Sequence, residues 1–181
     1  MVAVVSLKTP WRDPSTNMNI YWPSDAGTVT RGGERPGDGR RTETFVEVDL
    51  TALATVASTN VQIVAENVSI PKGAFIQDVE IVTTKAVTSG GSATLDIGLV
   101  DLADRTTEID FNGIAAAVAK TAIASVGTHN QIYVGGTGAG ALLGTATSKA
   151  GLITVNAGTA DFTAGKIEIR VHWFMPNSAD L

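Results

Sequence analysis

The residues in this 181-residue sequence whose types could do chemistry are two histidines, a run of carboxylates, a glycine-rich loop and an arginine cluster. His129 follows Gly127-Thr128, and His172 sits in the alternating stretch Lys166-Ile-Glu-Ile-Arg-Val-His-Trp-Phe174. A histidine base needs a nucleophile and an orienting carboxylate within reach. No Gly-x-Ser-x-Gly elbow presents a serine, so both histidines read as surface or interface residues. Asp96, Asp101, Asp104, Glu108 and Asp110 lie close together in the chain. Ca²⁺ takes several oxygen ligands from one flexible loop, but this spacing fits no EF-hand and Arg105 interrupts it. The segment therefore reads as a solvated acidic loop, with Ca²⁺ binding as the alternative. Gly135-Gly-Thr-Gly-Ala-Gly140 lacks both the Gly-Lys-Ser/Thr ending of a phosphate loop and the Gly-x-Gly-x-x-Gly pattern. It reads as a flexible hairpin tip. Arg31, Arg35, Arg40 and Arg41 are interspersed with Glu34 and Asp38. They suit either a solvated linker or an arm that pairs with an acidic partner. None of these groups favours a reaction, so the sequence predicts a protein that is not an enzyme and needs no cofactor.

Composition narrows the class further. Hydrophobic residues make up 44% and charged residues 17%, enough apolar material for a full core. The net charge is −5 and uneven. Residues 1–44 carry six Lys/Arg against five Asp/Glu, whereas residues 45–181 carry seven against thirteen. An acidic body argues against nucleic-acid binding, which needs a phosphate-neutralising surface. The chain has no cysteine, which removes disulfides, thiolate nucleophiles and Cys-ligated zinc. No apolar run approaches the ~20 residues of a membrane helix. The start Met1-Val-Ala-Val-Val is too short for a secretory h-region. A soluble protein made in a cytoplasm, with no membrane partner, is expected.

The elements that would position these groups are mainly strands. Phe45–Leu50 alternates, as does the Lys166–Phe174 run, where Ile167, Ile169, Val171 and Trp173 point one way. Phe75–Thr83 and Thr94–Leu99 alternate on either side of Ser89-Gly-Gly-Ser92, which predicts an antiparallel hairpin with a long tip. Further strand candidates are Asn60–Val68, Asn130–Val134 and Gly151–Asn156, and Val2–Leu7 reads as either a short strand or a loose terminus. Phe111–Ala124 is the one helix candidate. It is alanine-rich, with Asn112 as a cap and Phe111, Ile114 and Val118 at helical spacing. Residues 9–44 hold four of the six prolines and two of the three tryptophans. The expected layout is therefore an extended N-terminal arm over 1–44 and a β-sandwich body over 45–181. The fold class is all-β, an antiparallel sandwich, jelly-roll-like, with one short helix. Trp11, Tyr21 and Trp22 would anchor the arm, either on its own body or on a neighbouring subunit.

Two stretches carry a resemblance. Val68-Ser-Ile-Pro-Lys-Gly-Ala-Phe-Ile-Gln-Asp-Val-Glu-Ile-Val-Thr-Thr84 leads to a glycine turn and Ala93-Thr-Leu-Asp-Ile-Gly-Leu-Val100. Later comes Leu152-Ile-Thr-Val-Asn-Ala-Gly-Thr-Ala-Asp-Phe-Thr-Ala-Gly-Lys-Ile-Glu-Ile-Arg-Val171. The pattern resembles the capsid decoration, or cement, proteins of tailed bacteriophages and related head-surface virion proteins. It covers about half the chain, rests on a proline-glycine strand start, a Gly-Gly turn and a closing strand, and omits the 9–44 arm. The resemblance implies a structural protein on the virion capsid surface, made in the host cytoplasm, partnered by the major capsid protein and assembled as a homotrimer. A neck, tail or head-fibre protein is the nearest alternative, and a carbohydrate-binding module on the same fold a more distant one. The residues that would meet a partner are Trp11, Tyr21, Trp22, Arg31, Arg35, Arg40 and Arg41.

Overall fold

Valine, isoleucine and threonine fit a pleated, half-buried surface, and this chain places them in long alternating runs that become two packed sheets. The structure, a computed structural model, describes residues 11–12, 19–21, 29–36, 41–53, 64 and 68–176. The strands are β1 (Trp11–Arg12), β2 (Asn19–Tyr21), β3 (Val29–Pro36), β4 (Thr42–Asp49), β5 (Ser69–Ile70) and β6 (Phe75–Ser89). They continue with β7 (Thr94–Asp101), β8 (Glu108–Ala119), β9 (His129–Tyr133), β10 (Gly151–Gly158) and β11 (Phe162–Phe174). One sheet has seven strands in the order β1-β2-β3-β4-β11-β6-β9, and the other has four in the order β5-β10-β7-β8. Every pairing between them is antiparallel.

Numbering the eight strands from β4 onward as one to eight gives a simple result. The first sheet then reads one-eight-three-six and the second two-seven-four-five, which is the strand order of a jelly roll. The expected fold class is thus the observed one. Between the sheets, Val46, Val48, Val79, Ile81, Ile167, Ile169 and Val171 face Leu95, Ile97, Leu99, Ile153 and Val155, all fully buried. Each such aliphatic side chain contributes roughly 1.5–3 kcal/mol by leaving water. Trp173 closes the core, and its indole Nε1 donates to Thr44 Oγ1 at 2.7 Å.

Several local expectations are corrected. The predicted 75–99 hairpin does not exist as a pair. β6 pairs with β11 and β9, while β7 pairs with β10 and β8. The Gly90-Gly91 turn carries the chain from one sheet to the other. Within the alternating stretch Phe75–Thr83 of β6, the register slips at Gln77. His172 opposes Asp78 but Trp173 opposes Ile76, so Gln77 is an extra residue that turns Ile76 into the core.

The expected helix at 111–124 is strand β8 up to Ala119, followed by a single 3-10 turn over Lys120–Ile123. Helix propensity is a weak local preference, and here the ladder to β7 and close backbone packing override it. At Gly98 a Cβ would come within 2.0 Å of the Asp110 carbonyl oxygen, and at Gly140 within 2.2 Å of the Asn112 carbonyl oxygen. The small residues of this region serve backbone approach, not helix formation. The Gly135–Gly140 loop is likewise no projecting tip. It lies along the outer edge of β8, where Ala116 N donates to Gly138 O and Gly140 N to Ile114 O.

In the expected arm, β1 pairs with β2, β2 with β3 and β3 with β4, so its described parts extend the seven-stranded sheet. Val2–Leu7 and all of Asn60–Val68 except Val64 and Val68 lie outside the described residues.

Candidate functional site

The face of the seven-stranded sheet that points away from the core carries a charged ribbon. It forms because β4, β11, β6 and β9 each alternate, and the register lines up their outward residues. Glu43 opposes His172, which opposes Asp78, which opposes Tyr133. One row along, Phe45 opposes Arg170, then Glu80, then Gln131. The next row runs Glu47, Glu168, Val82, His129.

The contacts in this ribbon are short and cross several strands. His172 Nδ1 lies 2.6 Å from Asp78 Oδ1, and its Nε2 lies 3.3 Å from Glu43 Oε2. Asp78 also accepts from Arg41 Nη2 at 2.7 Å and from Gln131 Nε2 at 3.3 Å. Arg170 donates through Nε to Glu168 at 2.6 Å and through Nη1 to Glu80 at 3.0 Å. His129 Nδ1 completes the row, 2.7 Å from Glu80. Asp78 and Glu168 are buried although they face outward.

Burial and partners pull the titrations in opposite directions. Burial works against the His172 charge, but the hydrogen bonds to Glu43 and Asp78 outweigh it and raise its pKa. Burial also works to raise Glu80, yet the His129 hydrogen bond and the Arg170 charge bring its pKa below the usual carboxylate value.

This arrangement ties β4, β11, β6 and β9 together. Glu43, Asp78, Glu80 and Glu168 each face a cation or an N–H donor. Among the described residues no serine or threonine hydroxyl bonds either histidine. Nor does any group of three or more His, Asp or Glu side chains among them suit a metal ion. The acidic loop is equally committed. Asp101 accepts from Ala103 N at 2.9 Å and from Lys149 Nζ at 2.6 Å. Asp104 accepts from the Thr107 hydroxyl and from the amides of Thr107 and Thr106, which hold its pKa at about 2. Asp96, Glu108 and Asp110 accept from the amides of Ala117, Phe111 and Asn112 respectively. These side chains shape turns and do not converge on one point. Trp173 is in the core, where it cannot stack on a sugar as a carbohydrate-binding module would require.

Of the seven residues expected to meet a partner, Trp11 lies on β1, Tyr21 on β2, Arg31 and Arg35 on β3, and Arg41 just before β4. Trp11 pairs in register with Ile20, Tyr21 with Gly32, Arg31 with Glu47 and Arg35 with Glu43. Trp22 and Arg40 lie outside the described residues. Arg41 is bound to Asp78 of its own chain, with its side chain 41% exposed. Sequence reasoning missed Asp78, Glu80, Glu168 and Arg170. The available signal was the polar side of the alternation in β6 and β11.

No protein-family model matches the chain, and no curated protein does. Among solved structures, it is similar to a chain in the acidic stable capsid structure of Helicobacter pylori bacteriophage KHP30. That likeness has a TM-score of 0.48 and 11% identity, covering 80% of this chain and 94% of the other. It is also similar to a chain in the capsid of Ralstonia phage GP4, with a TM-score of 0.48 and 15% identity over 80% of this chain and 91% of the other. Scores and identities this low transfer no role and no residue to this chain.

Proposed function

We propose that this chain is a structural virion protein of a tailed bacteriophage, a decoration protein on the capsid surface that bridges neighbouring major capsid protein subunits as a homotrimer. The observation that carries this reading is where the resembling segments fall. Residues 68–99 and 150–174 contain β5, β6, most of β7, β10 and β11, which include the adjacent pair β11-β6 of one sheet and the inner pair β10-β7 of the other. The pattern therefore coincides with the central strands of the sandwich and the turns that join them. Jelly rolls serve viral capsids, lectins and cupins alike, and a fold by itself selects none of these. A role by contact suits what the chain has, a dense aliphatic core and an outer sheet on which Asp78, Glu80, Glu168, Arg170 and His172 are cross-linked. The N-terminal segment supplies reach, with Trp11, Tyr21, Trp22, Arg31, Arg35 and Arg40 as its anchors. Once the body is seated, contacts by that segment are effectively intramolecular.

The test is copy number. Quantitative mass spectrometry of particles purified from the encoding virus should find this chain at copy numbers on the scale of the major capsid protein. A dozen copies or fewer would assign it to the neck or tail. Deleting residues 1–28, which keeps β3 on the sheet, should leave a folded body that binds capsids more weakly. Undiminished binding by that variant removes the arm from the reading.

A further inference from the structure

His172 has a carboxylate at each ring nitrogen, Asp78 on β6 and Glu43 on β4. Carboxylates only accept hydrogen bonds, and a neutral imidazole has a single N–H. Both contacts are hydrogen bonds only when the ring carries two protons. We propose that protonated His172 is a clasp that bolts β4 to β6 across β11, and that it releases the N-terminal side of the outer sheet as the pH rises above the histidine range.

The surroundings define what the clasp does. From β4 the ring faces Glu43, and from β6 it faces Asp78. Arg41, just before β4, shares Asp78 and opposes the ring's charge. Gln131 of β9 shares Asp78 without a charge. On β11 itself, Arg170 is taken up by Glu168 and by Glu80 of β6, and His129 of β9 also binds Glu80. Arg35 of β3 stands in register with Glu43. The His172 side chain is 13% exposed, so water replaces little of what a lost proton removes. A neutral ring leaves a lone pair facing one of the two carboxylates. The seam that this loosens is the one joining β4 to the rest of the sheet, and β4 carries β3, β2 and β1 on its other side.

The sign follows from the raised pKa. In the unfolded chain a histidine titrates near about 6.5. The clasp stabilises fully below that pH, and its contribution is lost as the pH climbs through the higher folded value.

Three readouts on the full chain test this from about pH 5 to about pH 9. They are the NMR titration of the imidazoles, amide exchange in β4, and the thermal midpoint. The His172 midpoint should lie above the usual histidine value, with β4 protection factors, which discount the intrinsic pH dependence of exchange, and stability both falling through it. H172Q should abolish that fall, while H129Q keeps it. E43Q retains the ring and removes one carboxylate, so its His172 midpoint should move back toward the usual value. A wild-type profile matched by H172Q, or a His172 midpoint left unchanged by E43Q, overturns the clasp.

Discussion

Two buried threonines allow the same substitution to give opposite results. Thr44 and Thr154 are both fully buried. Thr44 Oγ1 accepts the Trp173 indole N–H at 2.7 Å, whereas Thr154 Oγ1 has no partner among the described residues. Thr→Val keeps the shape and exchanges the hydroxyl for a methyl. At position 44 it removes the acceptor and leaves the indole N–H unpaired in the core, a loss of about 1–3 kcal/mol. At position 154 it removes a hydroxyl whose unpaired burial costs about 1–3 kcal/mol, so stability should hold or rise. For a chain of this size each kcal/mol moves the thermal midpoint by about 2–4 °C. T44V should therefore melt roughly 2–12 °C lower than wild type, and T154V should melt no lower. Urea denaturation followed by tryptophan fluorescence reads both, and an unchanged m-value confirms a folded-state effect. If T44V equals wild type, or T154V falls as far as T44V, the hydrogen-bond reasoning is wrong.

Three further outcomes are expected. G98A forces a Cβ against the Asp110 carbonyl and should cost at least about 1–3 kcal/mol by overpacking, measured by chemical denaturation with circular dichroism to verify the sheet. Glu80 has a lowered pKa because its partners outweigh burial. Its contribution is therefore present above the usual carboxylate value and disappears as the pH falls through the folded one. Acid titration of stability should show a smaller drop for E80Q than for wild type. Asp104 should titrate at about 2 by carboxyl NMR, and a T107V variant, which loses the hydroxyl donor, should move that midpoint upward.

Legibility of the fold in the sequence varied with what each signal reports. Alternation over Lys166–Phe174 in β11 gave its faces correctly because both sides obey a period of two there, and Ile167, Ile169, Val171 and Trp173 are indeed inward. In β6 the same signal held from Asp78 to Thr83 and failed at Gln77, because a bulge shifts the face by one residue and leaves no mark in composition. Alternation says that a segment is a strand but not which sheet receives it. That is why the Gly90-Gly91 turn looked like a hairpin when it is a crossing between sheets. The alanines of β8 misled because their helix preference is local, while the tight approach of Gly98 and Gly140 to that strand is tertiary. The charged ribbon was the least legible part. His172 and Glu43 are 129 residues apart, and only the register of β4 against β11 makes them neighbours.

The position of β11 has a consequence for how the protein is made. It occupies the slot between β4 and β6, yet it is translated after every other strand. Until residues 162–174 leave the ribosome, the larger sheet is a row with a missing plank and two bare rims. Unpaired rims of this kind recruit other chains. A product truncated before residue 162 is therefore an aggregation seed, while synthesis of residues 162–174 both fills the gap and removes the hazard.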